Sequence, residues 1–176
     1  MPNSIGVLGK QAERSHLSTV QLEMLAGIKT VQIPYRGLSQ ALNDLIAGHV
    51  DMMFDVVALT REHALSGQVR ALAVLSPQRN PVLPDVPTSA EVGFTALEGG
   101  AWFGLMAPAG MPRATIDWLN AETRKAFEVP EVRQRLSKQG LQVPLGSPEE
   151  FAALIAAESK RWGEVIRMGG IKLESN

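Results

Sequence analysis

Apolar and polar positions follow two rhythms that alternate through the first half of the chain. Residues 4–8 (SIGVL) are a short apolar run that predicts a strand. After the turn GKQAER, Ser15 is placed to cap a helix over 16–26, with Leu17, Val20, Leu22 and Leu25 on one stripe and Gly27 just past its end. Residues 28–33 (IKTVQI) predict the next strand, closed by Pro34, which lacks the ladder donor. Ser39 is then placed to cap a helix over 40–47, with Leu42, Leu45 and Ile46 inward and Gly48 as its stop. A strand over 50–55 (VDMMFD), a helix over 57–65 ended by Gly67, and a strand over 69–75 (VRALAVL) complete the series. Strands alternating with helices at this spacing imply parallel pairing and right-handed crossovers.

The alternation breaks at residues 76–93, which hold Pro77, Pro81, Pro84 and Pro87 and predict a structured surface loop running into a short helix at 88–92. Residues 101–106 (AWFGLM) resume as a strand, and Pro112 opens a long helix to about 127 with Ile116, Leu119 and Phe127 on one face. A helix over 129–138, opened by Pro130 and closed by Gly140, precedes a short strand at 141–144. Ser147, Pro148 and Glu150 then form the clearest local signal: a cap residue, a first-turn proline and a glutamate three residues on. That helix runs to about 168, with Phe151, Leu154, Ile155, Trp162, Val165 and Ile166 on its apolar side. These amphipathic helices need a sheet or a bundle to cover, and the strands predicted beyond residue 95 are too few to supply it.

Composition narrows the function classes. The chain has 176 residues, 45% hydrophobic and 20% charged, which is globular composition. Seventeen basic and eighteen acidic residues leave a formal charge of −1, so no nucleic-acid partner is expected. Without cysteine there is no disulfide, thiolate nucleophile or sulfur-ligated metal, and His16, His49 and His63 lack metal-ligand spacing. No apolar run reaches the length of a transmembrane helix. No basic region precedes the apolar residues 1–9, so no signal peptide is expected in the chain as written. No nucleophile elbow, zinc-protease motif or phosphate loop is present, and no enzyme activity and no cofactor are expected.

Chemistry is expected at one edge of the predicted sheet. The helix starts after Glu13, Gly37 and Val56 all follow parallel strands and so point to the same side. Their unpaired backbone N–H groups and helix dipoles favour a small anion, with Ser15 and Ser39 serving as caps, as ligand contacts, or as both. Asp51 and Asp55 share a strand face; Asp55, at the C-terminal end, is the one placed toward a crevice.

Several motifs in order carry a resemblance. They are VQIPYRG at 31–37 followed by Ser39–Gln40–Ala41–Leu42, then GHVDMMFD at 48–55, and GQVRALAV at 67–74. LPDVPT at 83–88 follows with Glu91 and Gly93, then WFGL at 102–105, APAG at 107–110 and SPEEFAALIAAE at 147–158. Over about 15–174 the chain resembles the periplasmic solute-binding proteins of tripartite tricarboxylate transporters, the Bug or TctC-like receptors.

The resemblance implies an α/β periplasmic binding protein-like fold of type II, a Venus flytrap with the second lobe nearly complete and the first lobe only partial. It places the second lobe at 1–76, a Pro-rich crossover at 77–97, and the returning helix-rich part of the first lobe at 98–176. It implies capture of small carboxylates, such as di- or tricarboxylic acids, and delivery to a membrane permease. Ser15, His16, Pro34, Tyr35, Arg36, Gly37, Ser39 and Asp55 are the expected ligand-binding residues. Backbone N–H groups near 15–17 and 37–40 would grip a carboxylate while Asp55 orients a hydroxyl, an amine or a water. Location is periplasmic by resemblance, and cytoplasmic if the chain is made as written. Members are nearly twice this length, and their small-residue loop before the histidine reads Lys10–Gln11–Ala12–Glu13–Arg14 here, bulkier and with Glu13 facing an anion. The isolated chain is accordingly expected to bind succinate- or citrate-like ligands no more tightly than about 1 mM. The alternative is a non-binding structural or interaction fragment that self-associates through exposed helix faces or contacts a permease.

Overall fold

The computed structural model describes residues 5–8, 14–35, 37–100, 102–141 and 143–171. Its first half is built on strands β1 (Ile5–Leu8), β2 (Val31–Pro34) and β3 (Met52–Met53), joined through helices α1 (Arg14–Ala26) and α2 (Leu38–Ile46) and followed by α3 (Val57–Leu65). The strands form one sheet in the order β2-β1-β3. Both pairings are parallel, with Ile5 opposite Val31 and Gly6 opposite Met52. The second half carries helices α4 (Arg113–Glu128), α5 (Pro130–Lys138) and α6 (Pro148–Met168).

Several boundaries moved. β2 takes in Pro34, which pairs with Leu8. That is tolerated because β2 is the outer strand, so one side of its backbone has no ladder to supply. α1 starts at Arg14, which places Ser15 inside the helix rather than at its cap; the Ser15 carbonyl accepts from Thr19 Oγ1 at 3.0 Å. The cap of α2 is Gly37, extended at φ −173 and ψ 158, so Ser39 lies in the first turn and caps nothing. The capping box at α6 forms as predicted: Ser147 Oγ accepts from the Glu150 backbone N–H, and Glu150 accepts from that of Ser147.

The strands predicted at 69–75, 101–106 and 141–144 are not strands among the described residues. Of the first, only Val74 makes a bridge, parallel to Thr88. The Pro-rich loop folds back and supplies that single partner, so no longer ladder is available. The predicted helix at 88–92 is a turn whose ends are tied reciprocally. Thr88 N–H donates to Glu91 at 2.7 Å, Glu91 N–H donates to Thr88 Oγ1 at 3.2 Å, and Arg79 Nε donates to the Glu91 carboxylate at 3.0 Å. The Arg79 hydrogen bond, with the Thr88 N–H, holds Glu91 at about 2.

Two apolar clusters hold these elements. Leu17 and Val20 of α1 pack with Trp162 and Val165 of α6, flanked by Ile166 and Ile171. A Cβ on Gly169 would stand 2.5 Å from Val20 Cγ1, so the end of α6 meets α1 too closely for any side chain there. Ala41 and Val50 form the second cluster with Ile33, Tyr35, Leu45 and Met53, fastening α2 to the sheet. The apolar faces of the later helices are unevenly covered: Trp162 is buried, Ile116 and Leu119 are half-buried, and Leu154 is 40% exposed.

Candidate functional site

The strand order decides where a crevice opens. From β1 the chain moves through α1 to β2 on one side; from β2 it crosses through α2 to β3 on the other. With right-handed crossovers, α1 and α2 cover opposite faces of the sheet. The order reverses between β1 and β3, and a parallel sheet opens at its C-terminal edge at such a point. The start of α1 follows β1, and Asp55 with the start of α3 follows β3. None of α1, α2 and α3 has an acidic residue in its first turn, though at the start of α3 the Asp55 carboxylate already accepts from the N–H of the cap residue Val56.

The expected site residues distribute unequally around this point. Ser15 is half-buried in the first turn of α1. His16 is buried, which lowers its pKa and favours the neutral ring. It lines a groove along one flank of α1 with Val20, Glu23 and Met24, beside Gly169–Ile171 at the end of α6. Asp55 is half-buried just past β3. Its Oδ1 accepts from the Val56 N–H at 2.6 Å, while Oδ2 is closed off from solvent with no donor among the described residues. Burial pushes its carboxyl up, against the opposing effect of the Val56 bond.

Pro34 ends the outer strand β2, and Tyr35, Gly37 and Ser39 follow it, one strand away from the reversal. Tyr35 is committed locally: its hydroxyl donates to Asp44 Oδ2 of α2 at 2.5 Å and its ring joins the Ala41–Val50 cluster. That bond raises the phenol's pKa and lowers the carboxylate's. Pro34, Gly37 and Ser39 are exposed. Arg36 lies outside the described residues.

A cluster that the sequence reading passed over lies where α1 meets α6. Glu158 pairs with Arg161 at 2.8 Å and Arg14 at 3.6 Å, and accepts from Trp162 Nε1 at 3.0 Å. Arg161 lies over the Trp162 ring, 4.3 Å from its centroid. Burial acts to raise the Glu158 carboxyl, but the Trp162 bond and the two arginines hold it below its ordinary value. The spacing of Glu158, Arg161 and Trp162 puts them on one helix face. The contact with Arg14, far away in sequence, has no local signal. Among the described residues, no group of His, Asp and Glu is arranged to hold a metal ion.

Residues 3–171 match the model of the tripartite tricarboxylate transporter family receptor, TctC. The chain belongs to this receptor family. A Pseudomonas sp. (strain P51) relative, the UPF0065 protein of a tcbD-tcbE intergenic region, is 43% identical over 86% of this chain and 45% of its own length. Protein BugT of Bordetella pertussis is 34% identical over 97% of this chain and 52% of its own. The chain therefore spans about half the length of these receptor relatives. Among solved structures, a Rhodopseudomonas palustris protein with adipate has TM-score 0.81 at 29% identity, covering 97% of this chain and 57% of that one. MatC of Rhodopseudomonas palustris, with bound malate, has TM-score 0.74 at 32% identity, covering 93% and 57%. The architecture is thus part of a periplasmic solute-binding fold, and the receptors of this family are binding proteins rather than enzymes. The strand reversal and the helix starts around it belong to that fold.

Proposed function

We propose that the chain is the carboxylate-capturing part of a solute receptor that hands small di- or tricarboxylic acids to a tripartite tricarboxylate transporter. The observation carrying this is the reversal between β1 and β3, with the starts of α1 and α3 flanking it and no acidic residue in either first turn. Solved neighbours with adipate and malate support the ligand class. In this reading the first turn of α1, at Ser15 and His16, offers backbone N–H groups to one carboxylate. Asp55 faces the ligand's hydroxyl or amine, or an ordered water, because a bare carboxylate beside another would repel it. Gly37 and Ser39, with Pro34 and Tyr35, form the outer wall. Residues 1–76 belong to one lobe, 98–176 return to the other, and 77–97 join them. The receptor works in the periplasm and meets a membrane permease.

Ligand-induced melting shifts test the reading. Malate, adipate, succinate and citrate are added at millimolar concentration to the chain and to its Asp55→Asn variant. A shift with at least one acid, altered in the variant, is expected. Equal melting with and without every acid up to about 10 mM, well above the affinity expected of a weak site, overturns it.

A further inference from the structure

The seam where α1 meets α6 holds more positive charge than it uses. Glu158 has two close partners, Arg161 at 2.8 Å and the Trp162 indole N–H at 3.0 Å. Arg14 reaches the same carboxylate only at 3.6 Å, beyond hydrogen-bond distance. Two guanidiniums thus face one carboxylate, and the three side chains together carry a surplus positive charge. Arg14 Nη1 is closed off from solvent with no acceptor among the described residues. So is the indole Nε1 of Trp102, whose ring centroid lies 6.0 Å from the Arg14 guanidinium carbon. The Trp102 ring is held edge-on against Phe151 of α6, with centroids 5.4 Å apart at 82°, so its N–H has a fixed position.

A buried donor without an acceptor is costly, and a charged one more so than a neutral one. Burial lowers the pKa of Arg14, Glu158 opposes that effect and Arg161 adds to it. A carboxylate answers both needs: it accepts from a guanidinium and an indole N–H together, and it cancels the surplus charge. Arg14 begins α1, next to Ser15 and His16, where the proposed function places one carboxylate of the solute. Its side chain is 36% exposed, so a solute reaches it without unfolding the seam. We propose that Arg14, with the Trp102 N–H beside it, takes the second carboxylate of the solute and makes this chain select dicarboxylates over monocarboxylates of equal length. Glu158 holds Arg14 loosely in the empty state and yields it to the ligand, because its closer bonds to Arg161 and Trp162 remain. The inference rests on the carboxylate reading above and names the residue that sets its charge selectivity.

The test measures melting shifts across ligand concentration, which give apparent affinities for adipate against hexanoate and for succinate against butyrate. It is run on the chain and on Arg14→Gln and Glu158→Gln. The chain should favour each dicarboxylate by about tenfold or more, the effect of one charge-assisted pair. Arg14→Gln should bring each ratio down to about twofold or less. Glu158→Gln frees Arg14 and keeps an acceptor for Trp162, so it should raise the ratio. A ratio near one in the native chain, or one that Arg14→Gln leaves unchanged, overturns the proposal while the carboxylate reading stands. A ratio that falls alike in both variants also overturns it, because the seam would then act only as structure. If Arg14→Gln does not fold by circular dichroism, Glu158→Gln decides, and an unchanged or lower ratio overturns the proposal. Absence of any shift with these four acids and with malate and citrate overturns both readings.

Discussion

Replacing Trp162 by alanine tests whether the α1–α6 seam holds the molecule together. Trp162 is 9% exposed and packs with Leu17, Val20 and Val165. Truncating a buried tryptophan costs about 3–5 kcal/mol, because transfer free energy is lost and the surroundings only partly close over the cavity. The indole bond to Glu158 and the stacked Arg161 go with it, which favours the upper part of that range. Trp118 is the internal control: it carries the same side chain, but at 60% exposure. Trp118→Ala should shift stability by about 0.5 kcal/mol or less. Urea unfolding followed by far-ultraviolet circular dichroism reads both without relying on tryptophan fluorescence. With a slope near 2 kcal/mol per molar urea, Trp162→Ala lowers the midpoint by roughly 1.5–2.5 M and Trp118→Ala by a few tenths at most. Equal midpoint losses in the two variants would refute the reasoning, because only Trp162 is buried and tied to Glu158 and Arg161.

Three further outcomes are expected. Gly169→Ala forces a Cβ to within 2.5 Å of Val20 Cγ1 and should cost about 1–3 kcal/mol through overpacking; an unchanged thermal midpoint contradicts the close approach. Asp55 has a pKa raised by burial despite the Val56 bond, so its ionised form opposes folding and the effect grows as pH rises through the folded-state value. Asp55→Asn should therefore be more stable than the native chain at pH 7, with the gap closing as pH falls below the ordinary value of 3.8; a gap independent of pH counts against it. Glu91 is held at about 2, below its ordinary 4.5, first by the Arg79 hydrogen bond. Its contribution is complete above 4.5 and fades as pH falls toward 2. Glu91→Gln should destabilise the chain at pH 6 and make little difference near pH 2, as measured by urea midpoints across that range.

The sequence by itself determined the existence of the six longer helices and the direction of the strands, though not the short helix expected at 88–92. α3 and α6 begin and end where the punctuation puts them, at Gly67 beyond one and at the Ser147–Pro148–Glu150 signal of the other. Capping and helical periodicity are local, satisfied by residues within a turn of one another, so they are legible without partners. The parallel arrangement was legible for a related reason: strand–helix–strand spacing leaves room for nothing else. The runs at 69–75 and 101–106 were equally apolar, yet only Val74 found a bridge. A strand exists only where a neighbouring backbone offers its hydrogen bonds, and that neighbour is set by the whole fold. The same distinction divides the site. That helix starts gather at one edge follows from strand direction. That Asp55 stands beside the reversal, while Tyr35 is tied to Asp44 one strand away, follows from the order β2-β1-β3. That Arg14 meets Glu158 follows from α1 packing on α6. These are contacts between segments distant in sequence, and only tertiary packing brings such segments together.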